Sequence, residues 1–398
     1  MTTPTARAAL LLLASVTLIG CGDTNRNVVA VERDSAGVTI VESATPRWTS
    51  AQRWVIDTVP LLDLATSGAG VAHEFSDVVD AVRREDGSIV VADAGSSQVR
   101  AFTARGDLQW TLGRAGEGPA EFSRLSNLTR YLGDSIVAFD YWLGRLTVIS
   151  DAGAFGRDAH AVKPGPGVER LVHLGDTTFA AQLSAYAEMA NNAGLFRIPA
   201  HIVRLSAAGA ILDTLTTIPG IETYLLPRGD MQPLFRRAGH MTARDGRIYT
   251  GSAEAFEYRV HSKDGRLERI VRLPGFDLSV TADEVQRERE AMLGADPHPL
   301  LRDLVEQLPN PVTRPAYDQL VVDATGAVWA SGSRARADTT GPTTWQLFDA
   351  DGGWLGSAVL PRRLRVFEIG VDHILAVQLD SLDVEHVQLL RLTRLGRR

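Results

Sequence analysis

The sequence predicts an all-β fold, a six-bladed β-propeller made of four-stranded antiparallel blades. The first observation is a unit of four short β-type segments, clearest at residues 78–113, with glycine in both tight turns, Asp86-Gly87 and Arg105-Gly106. Glycine adopts positive φ without steric cost, which such turns require. The second observation is that the unit occurs six times. Sheets of this kind bury both faces when they pack radially on one another, so the repeat predicts a ring.

The turn between the first and second strands defines the six units. After residues 86–87 it recurs at Gly133-Asp134, Gly175-Asp176, Asp245-Gly246, Thr325-Gly326 and Val371-Asp372. A short apolar segment follows each of these turns, as expected of a strand buried inside a ring. In the three units without a long insertion, the two glycine turns lie 19 residues apart. Such regularity favours a repeat over coincidence.

The ring is predicted to be closed by an N-terminal strand. The sixth unit supplies only three strands, at Arg365–Ile369, Ile374–Val377 and His386–Leu392. The segment Trp54–Leu64 is a candidate for the missing outer strand. The run that begins at Trp54 is similar to the fourth strand of the first unit, which contains Trp110. A strand in that position would complete the last blade and remove its free edge.

The N-terminus predicts an exported lipoprotein. Arg7 precedes Ala8–Ile19, an apolar run too short to span a bilayer comfortably and typical of a signal peptide at residues 1–20. The tetrapeptide Leu18-Ile19-Gly20-Cys21 resembles the lipobox of bacterial lipoproteins, which implies lipidation of Cys21. We expect a tether at 21–27, a single propeller domain at 28–398, and attachment to a membrane of the bacterial cell envelope, facing the periplasm or the outside. The alternative is an uncleaved anchor helix with a chance cysteine.

The composition excludes several functions. The net charge is −7, so the chain has no electrostatic attraction for nucleic acid or for an anionic membrane surface. The sequence contains no zinc-protease motif, no nucleophile elbow, no phosphate-binding loop and only one cysteine. Asp93 and Asp140 follow second strands, where an aspartate usually hydrogen-bonds the next turn. We therefore assign no catalytic residue.

Two segments of the first unit resemble NHL-type propellers. Residues 113–122, GRAGEGPAEF, are similar to the linker between blades of that family, and residues 86–93, DGSIVVAD, are similar to its blade motif. The similarity extends in pattern over residues 28–394. It implies a propeller, but members of this group serve as scaffolds, lyases, hydrolases or sensors, so it implies no single activity.

The insertions predict the functional face. In an antiparallel meander, the turns from strand one to two and from three to four share one side, and the other connections share the opposite side. The long segments all belong to the second group: Leu183–Pro199, Pro219–Arg237, Pro274–Ala316 and Gly332–Thr343. The third contains a helical insertion at about 279–310, between blades 4 and 5, that begins with the capping box Thr281-Ala282-Asp283-Glu284. Long loops are usually functional, although neutral tolerance of long loops is an alternative.

Aromatic and arginine side chains in the loops are the binding candidates, because these residues commonly anchor ligands. They are Arg114, Tyr141, Trp142, Tyr186, Arg197, Tyr224, Arg236 and Trp345. Packing of the loops onto the ring is the competing interpretation. We predict a non-enzymatic module that binds a peptide, a carbohydrate or a partner protein through this face.

The alternative hypothesis is a metal-dependent hydrolase or lyase that resembles the propeller lactonases. Its divalent ion would lie in the central channel, with His173, His240 and Glu368 as candidate ligands, since neutral imidazole binds metal near pH 7. Histidines satisfied within the core are the competing interpretation. The cofactor is left open, with a divalent metal expected only under this hypothesis.

Overall fold

The structure, a computed structural model, describes residues 30–49, 52–160, 168–186, 193–226, 229–338 and 341–395. The predicted signal peptide, Cys21 and the tether lie outside the described residues. The strands are, in chain order, β1 (Val31–Ser35), β2 (Val38–Glu42), β3 (Trp54–Asp63), β4 (Val78–Arg83), β5 (Ile89–Asp93), β6 (Gln98–Phe102), β7 (Leu108–Leu112), β8 (Leu125–Arg130), β9 (Ile136–Asp140), β10 (Arg145–Ile149), β11 (Phe155–His160), β12 (Val168–His173), β13 (Thr178–Ser184), β14 (Gly194–Ser206), β15 (Ile211–Leu226), β16 (Gly229–Met231), β17 (His240–Arg244), β18 (Arg247–Gly251), β19 (Glu257–Ser262), β20 (Leu267–Arg272), β21 (Gln319–Val322), β22 (Val328–Ser331), β23 (Thr343–Phe348), β24 (Trp354–Leu360), β25 (Leu364–Ile369), β26 (His373–Leu379) and β27 (Glu385–Arg394). The helices in these residues are α1 (Ala282–Leu293) and α2 (Pro299–Glu306).

The described strands form six sheets. Sheet 1 (β4–β7), sheet 2 (β8–β11), sheet 5 (β21–β24) and sheet 6 (β25–β27 with β3) each have four strands. Sheet 3 (β12–β16) has five strands. Sheet 4 (β17–β20 with β2 and β1) is mixed, because β2 pairs with β20 in parallel. The predicted all-β class and the repeated antiparallel meander are confirmed.

The first strand of each sheet contacts the first strand of the next. The contacts run from β4 to β8, β12, β17, β21 and β25, and β25 contacts β4 again. A hydrophobic cluster fills each gap between successive sheets. In β5, for example, Val90 and Ala92 pack toward sheet 2, whereas Ile89 and Val91 pack toward sheet 6. Such a strand is apolar on both faces, and the arrangement fits a β-propeller.

The N-terminal segment crosses three sheets. β2 extends sheet 4, the backbone amides of Arg47 and Trp48 donate to carbonyls of β24 in sheet 5, and β3 pairs with β27 in sheet 6. The strand predicted at Trp54–Leu64 is thus present at Trp54–Asp63, in the outer position expected of it. The β1–β2 hairpin was not predicted, because its partner β20 lies more than 200 residues away in the sequence.

The long connections leave one side of the ring. Connections from a first to a second strand, or from a third to a fourth, have five residues or fewer, whereas the long ones leave the other side, before β4, β8, β14, β17, β21 and β23. We call the two sides the short-turn face and the insertion face. Two predicted loops are corrected, because much of Leu183–Pro199 and Pro219–Arg237 belongs to β14 and β15. These strands extend past β13 as a hairpin, in which Gly194 is paired with Leu225.

The predicted helical insertion lies between sheets 4 and 5. The capping box is present, since Thr281 Oγ1 accepts a hydrogen bond from the Glu284 amide at 3.2 Å and Glu284 Oε2 accepts one from the Thr281 amide at 2.8 Å. α1 begins directly after this cap. The helices pack on the ring through a small cluster that joins Val285 and Leu308 to Leu234 and Phe235 of the loop before β17.

Candidate functional site

A central channel runs between the six inner strands. It contains a cavity of about 330 Å³ to which every inner strand contributes. Its polar lining includes Asp80 of β4, Asn127 of β8, Arg170 of β12, Thr242 of β17 and Glu368 of β25. Gly175 and Asp245 of the short turns also line the cavity, which places it toward the short-turn face.

Hydrogen bonds inside the channel join three successive inner strands. Asp80 Oδ2 accepts from Asn127 Nδ2 at 2.6 Å and from the Leu128 amide at 2.9 Å. Asn127 Oδ1 in turn accepts from the Leu171 amide at 3.0 Å. Burial raises the pKa of Asp80, and the positive charge of Arg170 opposes that shift. These groups satisfy one another, so their first role is to fasten sheets 1, 2 and 3 together.

The three candidate metal ligands have separate partners. His173 Nε2 lies 2.5 Å from the carbonyl oxygen of Asp176. Glu368 lies at the same end of the channel, but its carboxylate pairs with Arg130 at 2.5 Å. The ring of His240 packs at a tilt against that of Tyr317, with ring centroids 5.4 Å apart. Within the described ranges no group of three or more His, Cys, Asp or Glu side chains is arranged to hold a metal ion.

Burial controls the charge of His240. Desolvation lowers the pKa of this imidazole to about 4, and the positive charges of Arg170 and Arg197 act in the same direction. The side chain is therefore neutral at physiological pH. This histidine lies at the start of β17, at the end of the inner strand that faces the insertion side.

Glu169 is the centre of a polar cluster at the insertion-face end of the channel. It lies at the start of β12, and its side chain is exposed. Its carboxylate accepts hydrogen bonds from Gln182 Nε2 at 2.8 Å and from Ser184 Oγ. Both donors belong to β13, the neighbouring strand in sheet 3. These bonds hold the carboxylate in place while leaving it open to solvent.

Three predicted binding residues, Tyr141, Tyr186 and Arg236, lie within electrostatic reach of Glu169. Burial is the main cause that raises the pKa of Tyr141 and of Tyr186, and the negative charge of Glu169 raises both further. The two phenols are therefore protonated donors across the physiological range. Arg236 also lies within electrostatic reach of Glu169 and of Asp318. We call Tyr141, Glu169, Tyr186, Arg236 and Asp318 the mouth cluster.

Asp318 completes the mouth cluster from sheet 5. It immediately precedes β21, and burial raises the pKa of its carboxyl group. The Arg334 amide donates to Asp318 Oδ2 at 2.8 Å, which fixes the loop after β22 against the channel mouth. The cluster thus combines two tyrosine rings, two carboxyl groups and one guanidinium drawn from sheets 2, 3 and 5 and from the loop before sheet 4.

The other predicted binding residues lie elsewhere. Trp142 is 50% exposed and contacts Tyr141 edge-on at 5.2 Å, so it extends the cluster outward. Arg114 is exposed and pairs with Glu121 at 2.6 Å inside the linker between sheets 1 and 2. Arg197 donates to the carbonyls of Pro219 and Ser252, both at 2.9 Å, and so braces the β14–β15 hairpin.

Tyr224 and Trp345 serve packing. Tyr224 packs against the hydrophobic cluster of Leu234, Phe235, Val285 and Leu308 beneath the helical insertion. Trp345 is only 2% exposed and packs near Trp329 in the core between sheets 5 and 6, which corrects its assignment to a surface loop. The reason is strand alternation: β23 begins at Thr343, directly after the insertion, and its third residue already points inward.

Glu169 and Asp318 were missed because no local motif marks them. Each lies where the chain enters an inner strand. The first residues of all six inner strands meet at the insertion-face mouth, because the six strands run in the same direction. A polar residue at or beside the start of an inner strand was therefore the signal from which the sequence could have predicted Glu169 and Asp318.

Comparisons with known proteins support the fold and leave the activity open. No protein-family model matches the chain, and no curated protein matches it. Among solved structures, it is similar to an inferred exported protein of Bacteroides fragilis, with 12% identity and a TM-score of 0.52 over 89% of this chain and 99% of that one. A gluconolactonase of Xanthomonas campestris (14% identity, TM-score 0.37, 81% of this chain and 88% of that one) and virginiamycin B lyase of Staphylococcus aureus (13%, 0.39, 79% of each) are more distant. At such identities the first likeness shows the fold alone, and the other two carry no argument.

Neither helix in the described part of the chain has the length and apolar character needed to cross a membrane.

Proposed function

We propose that this chain is an exported six-bladed β-propeller, closed by β3 and related in its repeat to NHL-type propellers. Residues 28–398 form one domain in this proposal, and lipid on Cys21 attaches it to the bacterial cell envelope. The six-membered ring of inner-strand contacts and the pairing of β3 with β27 support the blade count and the closure. The lipobox-like tetrapeptide and the likeness to an inferred exported protein support export.

The proposed activity is binding, without catalysis, at the insertion-face mouth. The observation that carries it is the convergence of the mouth cluster around Glu169. Its members lie at the insertion-face ends of β9, β12, β13 and β21 and in the loop before β17, within electrostatic reach of their neighbours in the cluster. Glu169 is held by two side-chain bonds but remains exposed, so its carboxylate is positioned to accept hydrogen bonds from a ligand.

The chemistry of the mouth cluster favours a carbohydrate. Planar carboxylate and guanidinium groups make directed hydrogen bonds, which match the closely spaced hydroxyl groups of a sugar. Tyrosine offers an apolar ring for the face of a sugar and a hydroxyl for its edge. Tyr186 is 36% exposed, so its ring is available for such packing. A peptide or a partner protein is the other ligand that these groups could bind.

The test uses the double variant Tyr141→Ala/Tyr186→Ala and a matched control, Phe155→Ala. Phe155 is also an exposed aromatic residue, at 39%, but it lies at the start of β11 on the short-turn side. Oligosaccharide and peptide arrays are probed with all three proteins. We expect one class of sugar to be bound by the wild type and the control and to be lost in the double variant. Binding that survives in the double variant would contradict the proposed site. Selective binding of peptides would show that the ligand is a peptide and not a carbohydrate.

The anchoring proposal has its own test. Cys21→Ser is expected to move the protein from the membrane fraction to the soluble fraction of the envelope, because acyl chains contribute about 0.8 kcal/mol per buried methylene to membrane attachment. Unchanged fractionation would show that Cys21 carries no anchor.

A further inference from the structure

A second cavity lies on the insertion face, next to Asp318 of the mouth cluster, which accepts a hydrogen bond from the amide of Arg334. It is a groove of about 870 Å³ between the loop after β22 and the edge of sheet 6 formed by the start of β25 and the β26–β27 connection. Its volume is in the range of small-molecule sites. None of the five residues of the mouth cluster lines it.

The groove is rich in arginine although the chain as a whole is acidic. Its lining includes five arginines and three acidic residues, whereas the chain carries a net charge of −7. The arginines are Arg334, Arg336, Arg362, Arg363 and Arg365. The groove is therefore a local positive region on a negative protein, and such a region attracts anions.

Two of these arginines are held by the groove's own acids. Arg363 pairs with Asp383, and Arg365 lies 3.4 Å from Glu385 while also donating to the carbonyl of Val78. Their charges are largely compensated, so their role is to shape the groove.

The other three arginines have guanidinium N–H donors that are available to a ligand. Arg334 makes one long bond, 3.3 Å, to the carbonyl of Asp338. Arg336 lies 3.8 Å from Glu288, which is beyond hydrogen-bond distance. Arg362 is exposed, and no described residue forms a hydrogen bond or an ion pair with its side chain. A guanidinium presents parallel N–H donors that match a carboxylate, phosphate or sulfate group.

Apart from Ser381, the lining beside the charged residues is apolar. Leu364 and Leu379 are half-buried, and Val377 lies beneath them in the core between sheets 6 and 1. None of the described residues that line the groove is aromatic. Positive side chains beside an aliphatic surface suit a ligand that has an anionic head and an apolar body.

We propose that this groove binds a soluble amphipathic organic anion. The anionic head contacts Arg334, Arg336 and Arg362, and the apolar body covers Leu364 and Leu379. The site does not depend on the carbohydrate proposal, because it shares no lining residue with the mouth cluster.

The test measures octyl phosphate binding by titration calorimetry, at concentrations below micelle formation. The groove variant is Arg334→Gln/Arg362→Gln. The matched control is Arg105→Gln/Arg157→Gln, which removes the same charge from two exposed arginines that lie outside the groove and make no side-chain bond to a described residue. We expect octyl phosphate to bind the wild type and the control with equal affinity. The groove variant should bind it roughly tenfold or more weakly, because two charge-assisted contacts are lost.

A second variant and two further ligands keep the test decisive. Ser381→Glu places a negative charge in the groove without removing a bond formed in the described structure, and it should also weaken binding. Octyl glucoside, which has the same tail and no charge, should bind at least roughly tenfold more weakly than octyl phosphate. Equal binding of octyl glucoside, equal affinity of the groove variant, or failure of the wild type to bind octyl phosphate would overturn the proposal. So would binding to phosphatidic acid vesicles without binding to soluble octyl phosphate.

Discussion

The buried ion pair between Arg100 and Asp93 should control how firmly the ring is closed. The Arg100 and Asp93 side chains are 4% and 1% exposed, and Arg100 NH2 lies 2.6 Å from Asp93 Oδ2. The other terminal nitrogen of Arg100 donates to the carbonyls of Ala72 and Glu74 at 2.9 and 2.7 Å. These carbonyls belong to the segment that leads from β3 of sheet 6 into sheet 1. One guanidinium thus fastens the connection between sheet 6 and sheet 1 to sheet 1.

Replacing Arg100 by methionine keeps the aliphatic stem and removes the charge. Asp93 would then be a buried carboxylate without its partner, and breaking such a pair from one side costs about 3–5 kcal/mol. Changing Asp93 to asparagine in the same protein removes the unpaired charge. We therefore expect Arg100→Met/Asp93→Asn to recover about 1–3 kcal/mol relative to Arg100→Met, the range found for coupled neighbours.

The assay is urea unfolding followed by tryptophan fluorescence, with hydrogen exchange measured at residues 71–74. Arg100→Met should lower the free energy of unfolding and speed exchange in that segment. Arg157→Met is the control, because Arg157 is exposed on β11. A loss below about 1 kcal/mol, which is the size of an exposed ion pair, would refute the reasoning. So would a double variant that is less stable than Arg100→Met.

Three further predictions address other parts of the fold. Trp54→Ala should cost about 3–5 kcal/mol in unfolding free energy, because Trp54 is 8% exposed and its ring packs against those of Trp48 and Trp329 where β3 completes sheet 6. A loss below about 1 kcal/mol would contradict its place in the core. Thr281→Ala should cost about 1 kcal/mol and speed exchange in the first turn of α1, whereas Thr281→Ser should not. Burial lowers the pKa of His240 to about 4 in the folded protein, below its ordinary value of 6.5, so the unfolded chain binds a proton first and the free energy of unfolding falls as the pH drops from about 6.5 to 4. His240→Asn should lose less stability over that interval. Identical pH profiles of the wild type and this variant would show that His240 does not titrate as described.

The repeat could be predicted because its signals are local. The turn at Gly87 illustrates this, since its φ of 86° is a conformation that favours glycine and the strands on either side pair directly across it. Asp93 and Asp140 were correctly predicted to bond the following turn, with Ser96 Oγ at 2.8 Å from Asp93 and the Leu143 amide at 2.9 Å from Asp140. Strand, turn and cap each depend on residues a few positions apart.

The sites could not be predicted in the same way, because they depend on which loops meet. Tyr141 and Tyr186 belong to different sheets, and nothing in either loop indicates that Glu169 lies between them. The arginine groove could not be predicted for the same reason, since Arg334 and Arg362 come from opposite sides of a gap between sheets 5 and 6. Trp345 was assigned to a loop because the insertion ends two residues earlier, and only the register of β23 shows that it is buried.

Buried charged groups fasten the ring at separate places around it. Sheets 1 and 2 contain the buried Asp93–Arg100 pair and an Asp140 whose carboxylate accepts from the Ser123 and Arg124 amides at 2.7 and 2.8 Å. Sheets 5 and 6 are joined by a comparable pair, because Arg394 of β27 lies 2.9 Å from Asp323, which directly follows β21, and the two side chains are 7% and 0% exposed.

The proposed binding groups are separate from these pairs. Glu169, His240, Asp318 and Arg365 lie at or beside the start of their inner strands, on the side where the long insertions leave the ring. Neither buried pair includes these residues. The loops and mouth residues can therefore vary without loss of the contacts that hold the sheets together, and for this reason both proposed sites lie on the insertion face.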